Sequence, residues 1–467
     1  MRRQSLILCQ SILAAGSVLK GFRFFSRRAL LLTFAMIFMA GPAWGATKVI
    51  QWDDPVEVAE GEAFRGPWQM NESDWRFVDD PSVALTEDRQ AGVVWVDQAR
   101  QDLFFQVYGP DGEPRFDEPV NVSRSPEVFS WLPRVIMSGG EPETVFILWQ
   151  EIIFSGGSHG GDILFARSQD GGRTFSEPLN LSNTIAGAGK GRLSRDIWFN
   201  GSLDMALGPE GNIYVVWTEY EGALRFSHST DQGQSFSESL LIAGGRSEPP
   251  ARGPSLAVSP EGEIHLAWSV GEEGAADIRY TRSTDHGRSF FAEHRFIVPS
   301  TGFSDAPKIA ADERGIVHIA YTEGPFGPLQ GLQVHYSQSV NGGLFPEAIE
   351  ISQDHAESFA GAGFPSLELD GQGNVYVLWE LFPEKGFTHP SGLGITFSDD
   401  NGQTFADPII VPGTDDPGLG FNGSQQGMFM NKLAVNRNGD LAIVNSTFKA
   451  GESSRIRLIR GRIAAEE

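Results

Sequence analysis

The sequence predicts an all-β fold, a β-propeller of seven four-stranded blades. One short motif recurs at intervals of 54 to 61 residues, and an aromatic residue recurs once in each interval. A period of this length indicates a repeat architecture, in which each unit buries its apolar face only against its neighbours. The motif occurs as SQDGGRTF (168–175), STDQGQSF (229–236), STDHGRSF (283–290), SVNGGLF (339–345) and SDDNGQTF (398–405).

Each copy of the motif predicts a hairpin turn built around an acidic or amide side chain. The carboxylate accepts hydrogen bonds from N–H groups of its own turn, Gly adopts a positive φ, and the final Phe leaves the turn to pack between sheets. A worn copy, GPDGEPRF, puts Asp111 in the same register one period earlier. The structural turn residues are Asp170, Asp231, Asp285, Asn341 and Asp400.

Over roughly residues 47–463 the chain resembles the Asp-box (BNR repeat) propeller proteins, a group that includes the sialidases. The resemblance rests on the five motif copies. It implies a propeller in which the Asp boxes are structural turns, remote from the face that carries the active site.

Each period also has a common internal pattern of four short strands, clearest in the fourth unit as PSLAVSPEG, EIHLAWS, DIRYTRSTDHG and FAEHRFIV. The aromatic residue falls on the second strand, where packing between neighbouring sheets is the favoured role and a sugar platform is the alternative. These aromatics are Trp95, Trp149, Trp217, Trp268, Tyr321 and Trp379.

The two ends of the repeat region complete one blade. Residues 429–463 hold three strand patterns and stop before a fourth. The missing outer strand is found in WDDPVEV (52–58), which matches the segments that follow the Asp boxes, such as FSEPLNL (175–181). Pairing of both ends would close the ring and remove its open edges, which predicts seven blades; six blades with a strand cap is the alternative.

Residues 1–45 are predicted to be an export signal, followed by a single propeller domain over 46–467. This segment contains six basic residues and no acid, and an uncharged run follows Arg27 and Arg28. SRRALLL resembles a twin-arginine signal, and an uncleaved anchor is the alternative. We therefore expect a periplasmic or extracellular protein with no further membrane span.

The net negative charge of residues 46–467 argues against a nucleic-acid partner. Without the signal, 30 Lys and Arg residues face 60 Asp and Glu residues, so nucleic acid is not an expected partner. The only cysteine, Cys9, lies in the signal. We expect a monomer with no cofactor and no metal.

Function is expected on the face opposite the Asp boxes, where the longer loops surround the channel mouth. Four second strands end there in a carboxylate two residues beyond the aromatic, and these form a candidate acidic rim for a carbohydrate or protein ligand. Ordinary solvated strand ends are the alternative. The four are Asp97, Glu151, Glu219 and Glu323.

The resemblance to sialidases implies three arginines that bind a substrate carboxylate, a Tyr–Glu nucleophile pair and an Asp acid/base. Arg252 in RGPSL is similar to the family's Arg-Ile-Pro element, although it lies in the fourth unit, and Arg65 in FRGPW lies nearer the expected place. Arg134, Arg192 or Arg195 can complete a trio. Glu219 and Tyr220 are the only adjacent Glu-Tyr, and strand neighbours point to opposite sides. Catalytic residues therefore stay unassigned.

Two further clusters are candidates on the same face. One comprises Arg192, Arg195, Asp196 and Trp198, which combine charge with an aromatic that suits a sugar or peptide, or that seals the channel. His355 and His389 suggest a metal site, but no ligand spacing supports it, and surface histidines are the alternative. The sequence thus favours a ligand-binding or interaction module of the cell envelope, with a sialidase-like glycoside hydrolase as the alternative.

Overall fold

A computed structural model describes residues 48–140, 143–152, 161–184, 187–192, 198–200, 202–245, 248–271, 276–291, 295–296, 302–326, 331–353, 359–383, 389–422 and 430–465. The chain from Lys48 to Glu467 forms one compact unit. The predicted signal lies outside the described residues. No helix of the described part is long and apolar enough to cross a membrane.

The described residues form a seven-bladed β-propeller, as predicted. Six blades are antiparallel sheets in which four strands follow one another in chain order. The first three blades comprise Val78–Leu85, Ala91–Asp97, Asp102–Tyr108 and Val120–Asn121; Ser130–Ser138, Thr144–Glu151, Asp162–Ser168 and Leu179–Asn180; and Leu203–Leu207, Ile213–Thr218, Leu224–Ser229 and Leu240–Ala243.

The next three blades repeat the arrangement. They comprise Ala251–Val258, Ile264–Val270, Asp277–Ser283 and Arg295–Phe296; Phe303–Ala311, Ile316–Gly324, Gln333–Val340 and Ile349–Glu350; and Gly361–Leu369, Val375–Phe382, Leu393–Ser398 and Ile409–Ile410. Between the blades run the hairpins Phe64–Arg65 with Trp75–Arg76 and Lys190–Arg192 with Trp198–Asn200, and the 3-10 turn Pro417–Leu419. A further 3-10 turn, Pro209–Gly211, joins the first two strands of blade three.

The seventh blade is built from both ends of the repeat region, which confirms the predicted closure. Its inner strands are Leu433–Val435, Asp440–Phe448 and Ser454–Ala465, and the short strand Phe421–Asn422 also pairs with the second of these. The outer position is taken by Lys48–Trp52 and Val56–Gly61, both antiparallel to Ser454–Ala465. The WDDP corner separates the two pieces. Because the N-terminal strands pair with the last strand of the chain, the seventh sheet is complete and the ring is closed.

The core lies between blades. Seven main clusters of buried apolar side chains each combine residues of two neighbouring blades. The recurring second-strand aromatics belong to these clusters, and Trp149, Trp217, Trp268 and Trp379 are fully buried. Burial of such a side chain contributes on the order of 2–3 kcal/mol, so the aromatics hold the sheets together.

The motif turns of blades two to six lock each of these blades to the one before it. In the blade-six turn, Asp400 accepts hydrogen bonds from Ser398 Oγ, Gln403 N–H, Thr404 N–H and Thr404 Oγ. The closing Phe405 then packs edge-on against Tyr336 of blade five, with ring centroids 4.8 Å apart. Gly402 has φ +79°, and a Cβ there would collide with the same Tyr336 ring. Gly is therefore required for both conformation and space.

Candidate functional site

The first strands of five blades share a bulge that the sequence analysis did not identify. A residue with positive φ precedes a proline, and the pairing with the second strand shifts at this point. The residue after the proline turns toward the axis. Positive φ at non-glycine residues is costly, which is typical of backbone held in place by its surroundings. The positive-φ residues are Asp80, Leu132, Gly253, Ala306 and Phe364.

The bulges place polar side chains around the central channel. A cavity of about 270 Å³ on the axis is lined by the strands of blades three to six and by Asn431. Its polar lining comprises Asp204, Ser255, Lys308, Ser366, Glu368 and Asn431. Several of these groups also bond to the next blade: Asp204 accepts from Leu256 N–H at 2.9 Å, and Ser255 Oγ accepts from Ile309 N–H at 3.1 Å.

Charges inside this channel are compensated by each other. Arg134 Nε lies 3.8 Å from Asp204 Oδ1, and Lys308 donates a hydrogen bond to Asn431. Burial lowers the pKa of Lys308 to about 8, although Asp204 opposes the shift. Burial raises the pKa of Glu368 to about 8, against the opposing charge of Lys308. The channel below the mouth is thus close to electrically balanced.

A hairpin between blades seven and one covers part of the mouth face. Its strands Phe64–Arg65 and Trp75–Arg76 carry a loop that is fixed by Asn71, which donates to Ile152 O at 2.9 Å and accepts from Phe129 N–H at 3.1 Å. Ile152 follows the second strand of blade two and Phe129 precedes its first strand, and both positions lie at the end of the blade away from the turn motifs. The hairpin therefore belongs to the face on which the sequence predicts a ligand.

An exposed tryptophan lies in the loop of this hairpin. Trp68 is 46% exposed, and its ring centroid lies 5.1 Å from that of Trp75 and 5.3 Å from that of Trp131. Trp75 and Trp131 are buried and stack at an interplanar angle of 9°. The guanidinium of Arg65 lies 4.6 Å from the centre of the Trp75 ring. Rigid neighbours hold Trp68, while its own ring contacts solvent.

Arg65 connects the aromatic cluster to a pair of carboxyl groups on the first strand of blade one. Partial burial lowers the pKa of Arg65, and the charges of Asp79 and Asp80 oppose this shift, so the three groups interact electrostatically. His389 of blade six lies near the same guanidinium: burial and the charge of Arg65 both lower its pKa. We refer to Arg65, Trp68, Asp79, Asp80 and His389 as the mouth cluster.

The environment of Asp79 favours its protonated form. Burial and the neighbouring charge of Asp80 raise the pKa of Asp79 to about 7, while a hydrogen bond from Ser446 Oγ at 2.9 Å and the charge of Lys432 oppose the rise. Lys432 itself forms an ion pair with Glu380. A buried carboxyl group with a pKa near neutrality can exchange a proton under physiological conditions.

Two of the five arginines proposed from the sequence, Arg134 and Arg252, are buried in ion pairs within the protein, and the side chain of Arg192 is not described. Arg134 faces Asp204 and Met430 inside the channel. Arg252 is 0% exposed, its Nε lies 3.2 Å from Asp305 Oδ1, and its guanidinium lies 5.2 Å from the centre of the Phe303 ring. Both guanidiniums thus stabilise contacts between strands. Arg195 and Asp196 lie outside the described residues, and the side chain of Trp198 is not described.

The predicted rim carboxylates stand at the ends of their second strands, each bonded within its own surroundings. Glu151 accepts from Trp149 Nε1 at 3.0 Å and Ser125 Oγ at 2.8 Å. Glu219 pairs with Arg225 at 3.2 Å. Glu323 accepts from Ser304 Oγ at 2.6 Å, and Asp97 from Ala99 N–H at 3.0 Å. Burial raises the pKa of Glu151 and of Asp97.

The sialidase-type nucleophile pair has no counterpart among the described tyrosines that lie in strands. Tyr280, Tyr336 and Tyr376 are buried in the core, and burial raises the pKa of the latter two. Tyr220 follows Glu219 outside the strand, and Glu219 bonds to Arg225 instead. Among the described residues, no cluster of three or more His, Cys, Asp or Glu suits a metal ion.

Sequence reasoning missed Trp68, Asp79 and Asp80. A signal for the carboxyl pair was present, because proline stands at the same register of five units and the residues before it include Asp79 and Asp80. Trp68 offered no periodic signal, since its hairpin is an insertion between the outer strand of blade seven and blade one.

Comparison with known proteins supports the fold. No family model matches the sequence, and a search of curated proteins found no similar one. Among solved structures, an ulvan lyase from a new family of polysaccharide lyases, bound to -[GlcA(1-4)Rha3S]-, aligns at 11% identity over 86% of this chain and 95% of its own, with a TM-score of 0.55.

Two other solved structures align at lower similarity. The polysaccharide lyase Uly1 aligns at 11% identity over 88% of this chain and 99% of its own, with a TM-score of 0.50. The Hadza microbial sialidase Hz136 aligns at 13% identity over 79% of this chain and 73% of its own, with a TM-score of 0.43. At these identities the likeness concerns the propeller fold alone.

Proposed function

We propose that this chain is an exported propeller of the cell envelope that binds a glycan at the mouth cluster. The observation that supports the proposal is the exposed, rigidly supported Trp68 beside Arg65 and the Asp79–Asp80 pair. Sugar-binding sites combine an aromatic surface with a few oriented polar groups, and both are present within one hairpin and one strand.

The polar groups have complementary roles in such a site. Arg65 is exposed and presents donors in a fixed plane to a polyhydroxylated ligand, whereas the almost completely buried Asp79 and Asp80 supply the charge that opposes the lowering of the Arg65 pKa. The stacked rings beneath Trp68 reduce the conformational freedom lost on binding, which favours affinity. Solved structures of the same fold include a polysaccharide lyase with a bound oligosaccharide, in agreement with a glycan ligand.

Binding is tested by screening the mature protein against an array of neutral and acidic oligosaccharides, followed by titration calorimetry with the best probe. Trp68→Ala should weaken binding about tenfold or more, because exposed tryptophans at binding sites are commonly worth 1–2 kcal/mol or more. Phe291→Ala is the matched control, since Phe291 is a similarly exposed aromatic (49%) on blade four. Equal affinities for both variants would reject the mouth cluster as the binding site.

Cleavage of the bound glycan is a second candidate, because the pKa of Asp79 is about 7. A carboxyl group with this pKa can donate or accept a proton near neutral pH, and Asp80 supplies the second carboxyl group. Release of reducing ends between pH 5 and 9 would be lost in Asp79→Asn while binding persisted. If wild-type protein binds a glycan and releases no ends from it, the site is for binding alone.

A further inference from the structure

A second groove lies on the outer edge of the propeller, at the junction of blades seven and one. It has a volume of about 1000 Å³ and is bounded by the WDDP corner of the outer strand and by the worn turn GPDGEPRF of blade one. It arises because the outer strand of blade seven is supplied by a separate part of the chain and breaks at Trp52. The mouth cluster contributes no residue to this groove.

The charge of this outer groove is strongly asymmetric. Six carboxylates line it against two guanidinium groups: Asp53, Asp54, Glu57, Asp111, Glu113 and Asp117 against Arg89 and Arg460. Arg89 already pairs with Asp53 at 3.0 Å and with Asp440 at 3.2 Å. Asp54, Glu113 and Asp117 are exposed. The groove therefore favours a cationic partner.

One buried donor in the groove lacks an acceptor. Arg460 is 5% exposed, and its Nη1 donates to Gly109 O at 2.6 Å, whereas its Nε has no hydrogen-bond partner among the described residues. A buried N–H without a partner costs roughly 1–3 kcal/mol. Because this Nε is enclosed, a carbonyl oxygen of a bound chain would satisfy it once the Arg460 side chain moves on binding.

The backbone at the groove suits a polypeptide in particular. Val56–Gly61 is six residues long and is hydrogen-bonded only to Ser454–Ala465, so its other edge is unpaired in the described part of the chain. Outer strands of the six preceding blades have two to four residues. An exposed strand edge of this length can accept an added strand through main-chain hydrogen bonds.

We propose that this outer groove binds an extended, Lys- or Arg-containing peptide segment of a partner protein. The partner strand pairs with the edge of Val56–Gly61, and its alternate basic side chains reach the carboxylates of the groove. Half-buried Trp52 lies at the corner and reports occupancy through its fluorescence. This proposal is independent of glycan binding at the mouth cluster.

The probe is a capped heptapeptide of alternating Lys and Val, titrated into the mature protein at low salt by calorimetry and fluorescence. The triple variant Asp54→Asn, Glu113→Gln, Asp117→Asn should bind about tenfold more weakly, because three exposed ion pairs are lost. The control changes the charge equally at exposed carboxylates in the corresponding segments of other blades: Glu238→Gln, Glu347→Gln and Asp407→Asn.

The outcomes separate a peptide from other cations. We expect the control variant to bind like wild type, the alternating Glu–Val peptide not to bind, and spermine to bind more weakly than the Lys–Val peptide. Spermine carries charge without a backbone, so equal or tighter binding of spermine would overturn the peptide assignment. Equal loss of affinity in the groove and control variants would overturn the site itself.

Discussion

The ion pair between Arg252 and Asp305 gives the sharpest test of how the inner strands are held together. Arg252 is completely buried, and Asp305 is 3% exposed. The pair joins the first strands of blades four and five, with Nε 3.2 Å from Oδ1. We expect Arg252→Met to destabilise the protein by about 3–5 kcal/mol, since breaking a buried pair leaves the partner's charge uncompensated.

The magnitude follows from the geometry. At 3.2 Å and an effective dielectric constant of about 20, the attraction is about 5 kcal/mol, and desolvation of both groups offsets much of it. In Arg252→Met the carboxylate of Asp305 retains the Ala306 N–H at 2.8 Å, which cannot replace the guanidinium. In the double variant Arg252→Met, Asp305→Asn neither charge remains, so we expect a cost of only about 1–2 kcal/mol.

Urea unfolding followed by tryptophan fluorescence measures all four proteins of this double-mutant cycle, and the chain offers 11 tryptophans. The expected result is a coupling energy of about 2 kcal/mol or more. A loss under about 1 kcal/mol for Arg252→Met, or a double variant as unstable as the sum of the singles, would refute the buried-pair argument. Folded Arg252→Met should still bind glycan, whereas a ligand-binding arginine would lose that affinity.

Three further predictions follow from the fold and the mouth cluster. The pKa of Asp79 is raised to about 7, so the contribution of its protonated form to the free energy of unfolding is complete below about pH 4 and is lost as the pH rises through 7, by up to about 4 kcal/mol. Asp79→Asn should flatten this pH dependence between about pH 4 and 9 in urea titrations. An unchanged slope would contradict the prediction. Asp400→Ala should lower the free energy of unfolding by about 1–3 kcal/mol because the Thr404 bonds are lost, and Asn341→Ala should cost less; reversed thermal stabilities would oppose the turn model. Deletion of 48–61 should expose the edge of blade seven and give less cooperative unfolding with self-association in size-exclusion chromatography, whereas a cooperative monomer would show that closure is dispensable.

Much of the architecture followed from local, periodic signals. The turn motif, the second-strand aromatic and the match of WDDPVEV to other outer strands predicted the blade count and the closure. These features recur because each blade packs its sheet against the neighbouring sheet with the same residue types. The inner-strand prolines were an equally regular signal, but their consequence, a bulge that turns the next side chain toward the axis, required the observed register.

The sequence by itself determined the seven blades, their core aromatics and their turns, because each depends on residues within one unit or on contact with the next unit. The tertiary structure alone decided which charges meet. Arg65 and His389 come together across more than 300 residues, and Arg134 finds Asp204 only at the channel. Such contacts depend on ring closure, which brings first strands from all blades to one axis. The sequence of a single repeat unit does not indicate which charged residue of another blade it will contact at the axis.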